Sequence, residues 1–418
     1  MNLPRMYRVR QGFDDNRVNN IAETVKSEMN KLSFQTVKPA QRIAITAGSR
    51  GLANIAEILR AIVDFCQSMG AEPFIFPAMG SHGGATSEGQ LAVLRQLGVT
   101  ESYVKAPVLS SMETKEIGKT EDGIPVLIDK HAYSADHIIV VNRIKSHTKF
   151  KAPIESGLMK MMAIGMGKHK GAELYHRAAI QYTFPRIIIG AGREVITRAP
   201  VLCGLGIVEN GSGETARIAA LKPEEIESKE KALLLLAKEK MARLPFDEID
   251  LLIVDEMGKD ISGVGIDPNV TGRNRDVLVG FPHPTHIKRL FVRDLTEKSK
   301  GNATGIGLAD ITTKRLVDKI NRSATYINCI TGISLEKAAI PMYVENDREA
   351  IEIALGSIGL TSPEKSKIMR IKNTLQLEIV ETSEAYAEAF NQRTDLKILD
   401  GPCSMVFDSN NNLLALCR

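Results

Sequence analysis

Five of the eight histidines in this 418-residue chain fall between residues 131 and 176, and a sixth, His82, stands in the loop Gly80-Ser81-His82-Gly83-Gly84. An imidazole exchanges its proton near neutral pH and is a common metal ligand, so this concentration points to proton transfer or metal binding. His82 lies between a strand pattern and a helix pattern, where backbone N–H groups and the helix dipole favour an anion. The flanking glycines, Gly83 among them, let a ligand approach the backbone closely; the plain alternative is an exposed turn histidine. The loop Gly48-Ser49-Arg50-Gly51 has the same strand-to-helix placement. Arg50 offers a planar fork for a carboxylate or phosphate, or is simply a solvated surface arginine.

The segment 143–176 carries the strongest signal. His147 leaves a strand pattern, Lys160 follows thirteen residues later, and His176 sixteen after that. Lys160 lies in Ser156-Gly157-Leu158-Met159-Lys160-Met161-Met162, an apolar setting that lowers an amine's pKa and makes it nucleophilic. The same lysine could snorkel from a half-buried helix, and the methionine run reads as core packing.

Strand–loop–helix units position these residues. Strands are expected at 42–47, 73–78 and 137–142, with helices over 53–68 and 86–97. Such alternation implies a mostly parallel sheet covered by helices, with ligands at the carboxyl ends of its strands. Further strands are expected at 186–190 and 201–208, and a charged helix over 222–243. After Pro245 the pattern restarts with a strand at 249–254, which sets a domain boundary. The expected organisation is two α/β domains, 1–245 and 246–395, with the tail 396–418 rejoining the first and the active site in the interdomain cleft. The second domain reads as strand 288–294, helices 308–321 and 346–357, strand 374–380 and helix 382–391; a hairpin over 403–416 turns at 410–412. Its glycine-rich segment 259–273 runs from Lys259 to Arg273, which would meet substrate or form salt bridges between domains. His283 and His286 flank Pro284, which disfavours a helical metal pair and favours a rigid loop.

Composition narrows the classes. With 43% hydrophobic and 25% charged residues the chain is an ordinary globular protein, not a disordered or fibrous one. The longest apolar runs fall far short of the ~18–20 residues of a membrane span, and the first residues lack the apolar core of a secretory signal. Five cysteines without a CxxC pair argue against a zinc site or disulfide framework, and for a reducing cytoplasm. A net charge of +4 without a basic stripe, and 5% aromatics, argue against nucleic acid.

The motifs match a family. GSHGG with His82, KSHT with His147, SGLMK with Lys160 and ELYH with His176 make the chain resemble the nickel-dependent lactate racemases and related 2-hydroxyacid racemases and epimerases. The resemblance covers most of the chain and is specific mainly in its first half. It implies a nickel pincer nucleotide, supplied by cofactor-biosynthesis enzymes, with Lys160 as its covalent tether and His176 as the protein's nickel ligand. It makes His82 and His147 the acid/base pair and Arg50 a substrate anchor, with Ser49, Gly51 and Gly83 beside the cofactor. The implied reaction inverts a 2-hydroxyacid: C2 gives a hydride to the cofactor and takes it back through a 2-keto intermediate. Two histidines suit the proton transfers on opposite faces, and Ni(II) accepts a square-planar field of two sulfurs, a carbon and an imidazole nitrogen.

Some positions depart from the pattern. The family's DxTRP loop is Ala47-Gly48-Ser49-Arg50-Gly51 here, its SGGRK is SGLMK, and the chain has no tryptophan. These changes bear on lactate as the substrate more than on the cofactor, since Lys160 and His176 keep their spacing. Two other readings stand beside the racemase: a cofactor-free paralogue binding a small carboxylate or phosphorylated ligand, and a lyase or aldolase using Lys160 as a Schiff base.

Overall fold

The computed structural model describes residues 1–49, 51–276 and 281–414. Two compact units divide the chain: one comprises Asp14–His147 and Lys151–Met241, the other Met1–Phe13, Thr148–Phe150 and Ala242–Arg418. In chain order the strands are β1 (Met6–Gln11), β2 (Arg42–Ala47), β3 (Glu72–Pro77), β4 (Thr114–Lys119), β5 (Pro125–Asp129), β6 (His137–Arg143), β7 (Val201–Glu209), β8 (Thr215–Leu221), β9 (Glu248–Met257), β10 (His286–Leu295), β11 (Ile311–Thr313), β12 (Met342–Val344), β13 (Ile368–Asn373), β14 (Gln376–Ser383) and β15 (Leu396–Cys403).

The unit holding His82 is built on the sheet β3-β2-β6-β7-β8, parallel except for the β7–β8 pair. Ile43 to Ala47 of β2 are all buried, as in an interior strand of a parallel sheet covered on both faces. Helix α1 (Ile21–Asn30) and helix α2 (Ile55–Ser68) cover one face; α2 buries Ile55, Ile58, Leu59, Ile62 and Cys66, at helical spacing. Helix α3 (Ser87–Gln96) is capped by Thr86, whose side chain accepts the Gly89 N–H. Then follow α4 (Leu158–Lys160), α5 (Lys168–Tyr182), α6 (Phe184–Arg198) and α7 (Ile226–Lys240). The strand expected at 186–190 is in fact the first turns of α6. Pro185 starts a helix readily, and buried Phe184, Ile187, Ile188, Ala191 and Val195 recur at helical rather than alternating spacing.

The other unit has the sheet β12-β11-β10-β9-β13-β14-β1-β15, parallel from β12 to β13 and antiparallel beyond. Helix α8 (Arg322–Thr331), which the sequence reading did not foresee, and α9 (Asp347–Gly356) belong to it. The helix expected over 308–321 is divided between β11 and a short helix, Lys314–Asp318, because Ile311–Thr313 pair with β10 and β12. The strand expected at 374–380 is the second arm of the β13–β14 hairpin, and the helix expected over 382–391 shrinks to short turns because β14 runs on to Ser383. The tail pairs through β15 with β1, a segment expected in the first domain that falls in this second unit with the rest of Met1–Phe13. Strand β1 is itself part of this second sheet: Val9 packs with Leu252, Met369 and Val380.

Candidate active site

Strands β2, β3 and β6 run parallel, so the loops leaving their carboxyl ends open on one edge of the sheet. Those loops carry Ser49, His82 and His147. Ser49 Oγ is hydrogen-bonded to Nδ1 of His82, an alcohol holding the imidazole from the neighbouring loop. After His82 the backbone turns through Gly83 and Gly84, both at φ +66°. A Cβ at residue 83 would collide with the backbone of Gly89 and Gln90, so only glycine allows the loop to sit this close to α3. Gln90, fully buried, donates to the carbonyls of Met79 (3.0 Å) and Gly80 (3.1 Å).

Lys160 ends α4, and the chain continues as a wide turn of π type over Met161–Gly165, a feature that often marks functional segments. The side-chain amide of Asn142, on β6, donates to the Gly157 carbonyl at 2.7 Å. A Cβ on Gly48 would touch Met161 Cε at 3.4 Å, and one on Gly165 would press on the Ala78 carbonyl at 2.8 Å. The lysine-bearing turn is thus packed against both the Ser49 loop and the His82 loop. At its start, Glu230 of α7 accepts the Met159 N–H at 2.9 Å. Burial pushes the Glu230 carboxyl up to about 7, and among the described residues its Oε1 has no hydrogen-bond partner.

His147 and His176 meet at one ring. Phe184, at the start of α6, stands edge-on to His176 at 4.9 Å and tilted to His147 at 6.2 Å, centroid to centroid. His176 Nδ1 lies 2.5 Å from the Ala172 carbonyl oxygen one turn earlier. That oxygen can only accept, so Nδ1 bears the proton and a neutral ring carries its lone pair on Nε2. The His147 N–H is held by Glu155 at 2.6 Å, and Lys238 of α7 pairs with the same buried carboxylate at 2.6 Å. Helix α7 therefore supports the site twice, eight residues apart: Glu230 at the lysine turn and Lys238 beneath the His147 loop.

The other residues singled out from sequence are placed as follows. Arg50 lies outside the described residues. Gly51 is exposed with open space around its Cα. Lys259 and Arg273 belong to the other unit. Lys259 Nζ donates to the Gly263 carbonyl at 2.7 Å. Arg273, expected to meet substrate or to link the domains, grips Asp310 through two bonds of 3.0 and 2.8 Å within its own unit and also binds the Ile287 and Lys288 carbonyls. Such a satisfied fork is a structural clamp. His283 is held in its loop by the Asn269 carbonyl at 2.7 Å. Among the described residues no three His, Cys, Asp or Glu side chains are grouped to hold a metal ion, and no helix is long and apolar enough to cross a membrane.

Sequence reasoning missed Glu155, Glu230, Gln90 and Phe184. The first three are polar residues that register as solvated in one dimension; Phe184 was hidden by the run of isoleucines read as a strand.

Residues 10–184 match the model of the lactate racemase N-terminal domain. No curated protein matches the chain. Among solved structures, the lactate racemase apoprotein of Thermoanaerobacterium thermosaccharolyticum is similar at a TM-score of 0.52 and 16% identity, over 89% of this chain and 99% of that one. A Thermotoga maritima protein solved by structural genomics is similar at 0.54 and 13% identity, over 88% and 99%. At these identities the likeness is one of fold, and it extends past the matched domain. Residues 10–184 thus match a lactate racemase N-terminal domain, and the chain as a whole is similar in fold to the lactate racemase apoprotein.

Proposed function

We propose that the protein is a racemase or epimerase of a 2-hydroxyacid, with His82 and His147 as the proton-handling pair. The observation that carries this reading is the grouping on one sheet edge: His82 bound to Ser49, His147 and His176 about Phe184, and the Lys160 turn packed against the His82 loop. Inversion at C2 requires loss of the hydroxyl proton and departure of the C2 hydrogen with its electron pair, giving a 2-ketoacid. Return to the opposite face then requires a second proton donor. Two imidazoles, carried on separate loops, can serve the two faces near neutral pH.

The chain's donors fit a nickel pincer nucleotide. With the tautomer of His176 set by the Ala172 carbonyl, Nε2 would be the atom to hold the nickel, the arrangement by which proteins orient a metal-binding imidazole. Lys160 would tether the group, and that group when bound would supply the hydride acceptor. A single imidazole suits a nickel ion whose other donors come from the cofactor itself. Burial of Met159, Met161 and Met162 around Lys160 lowers the local dielectric and keeps water from the ketoacid.

Co-expression with enzymes that build the cofactor, followed by metal analysis and chiral chromatography over a panel of 2-hydroxyacids, tests this reading. Stoichiometric nickel and inversion of at least one acid are expected. Absence of both in the folded protein would favour a cofactor-free paralogue that binds a small carboxylate or phosphorylated ligand. The cytoplasm, the reducing compartment its scattered cysteines suit, is the proposed location.

A further inference from the structure

We propose that Gln90, locked in orientation by the buried Lys168, is a positioning residue for His82. The proposal rests on the reading of His82 as a proton-handling group. Lys168 opens α5 and is fully buried; its Nζ donates to the Pro77 carbonyl at 2.6 Å and to Gln90 Oε1 at 2.5 Å. It faces Asp129 Oδ2 at 3.6 Å.

An ammonium group has only donors, so the atom of Gln90 that meets it must be the oxygen. The amide nitrogen must then point the other way, and there it meets the Met79 and Gly80 carbonyls, with the His82 carbonyl at 3.5 Å. Lys168 thereby fixes which way Gln90 faces, and Gln90 gathers the inward carbonyls of the loop that carries His82. The ring of His82 is held at Nδ1 by Ser49, and the backbone leading into its loop is held at Met79 and Gly80 by this amide.

Packing does not explain a charged residue here. Lys168 has φ +56°, a left-handed conformation that is strained for a residue with a side chain. Among the described residues Asp129 Oδ2 has no hydrogen-bond partner and meets Lys168 only at 3.6 Å, so the buried ion pair is loosely satisfied. An apolar pair of equal volume is often as stable. Burial pulls the Lys168 amine down to about 8 and pushes the Asp129 carboxyl up, which marks the electrostatic penalty. What the ammonium supplies, and an apolar side chain cannot, is the directed bond that orients Gln90.

Gln90→Glu tests this in the full-length protein. It keeps an oxygen on Lys168 and turns a second oxygen, in place of N–H donors, toward the loop carbonyls. Expected are an unchanged far-UV spectrum and displaced His82 ring signals in the NMR spectrum of histidine-labelled apoprotein. In the cofactor-loaded protein kcat should fall about tenfold or more with KM nearly unchanged, as for a misplaced reacting group. Lys168→Met combined with Asp129→Asn removes the lock without leaving a lone charge and should reproduce both effects; it also serves if Gln90→Glu does not fold. Unmoved His82 signals in a folded variant overturn the proposal. If His82 moves but the wild-type protein inverts no 2-hydroxyacid, the positioning role stands and the catalytic reading fails. If the wild type inverts its substrate and the variants do so equally fast, the reading stands and the positioning role fails.

Discussion

The Glu230 carboxyl occupies the space that a Cβ on residue 157 would need, three residues before Lys160. Gly157 is extended, not left-handed, so glycine is required by the approach of α7 rather than by backbone conformation. Gly157→Ala must displace either Glu230 or the lysine turn. A loss of about 1–3 kcal/mol in denaturant unfolding is expected, the usual range for overpacking. Adding Glu230→Ala should recover part of that loss, since it vacates the space.

The same carboxyl gives stability a pH dependence. Burial raises Glu230 from 4.5 to about 7 in the folded protein. The folded state therefore binds the proton more tightly than the unfolded state. Its stabilising contribution is complete below about pH 4.5 and is lost as pH rises through about 7. The full span corresponds to roughly 3 kcal/mol at most. Thermal unfolding followed from pH 4.5 to 8 should show wild-type stability falling more steeply than that of Glu230→Gln; parallel curves would contradict the assignment.

Phe184 is the shared wall of His147 and His176. Its truncation to alanine should cost about 3–5 kcal/mol. The milder Phe184→Leu keeps most of the buried volume and loses the edge-on contact with His176. It should fold, and should weaken nickel retention during dialysis against a chelator more than it lowers the melting temperature.

Ser49 holds His82 with a neutral hydroxyl. Ser49→Asp would place a carboxylate against Nδ1 and favour the imidazolium. The His82 signals followed by NMR should then stay those of the imidazolium to higher pH than in the wild type.

Much of the site unit is legible in one dimension because its strands are buried on both faces and its helices have a single buried stripe. β2 and α2 announce themselves by apolar runs and by spacing. The loop residues His82 and Ser49 were marked by glycine and by position, and they do meet. What stayed hidden depends on long-range pairing. Phe184 sits in an apolar run whose period is decided by Pro185 and by packing on the lysine turn. Glu230 and Lys238 look like the solvated face of a charged helix, yet one is fully buried against Gly157 and the other pairs with buried Glu155. β1 was placed in the wrong domain because its partners, β14 and β15, follow it by almost the whole chain.

The most direct test of the proposed chemistry follows a 2-hydroxyacid deuterated at C2 through inversion by the nickel-loaded protein in ordinary water. The opposite enantiomer should keep its label, because the hydrogen leaves with its electron pair and does not exchange as a proton. Lys160→Ala and His176→Ala should abolish that inversion. Product that has lost its deuterium to solvent, or inversion undiminished in Lys160→Ala, would contradict the account.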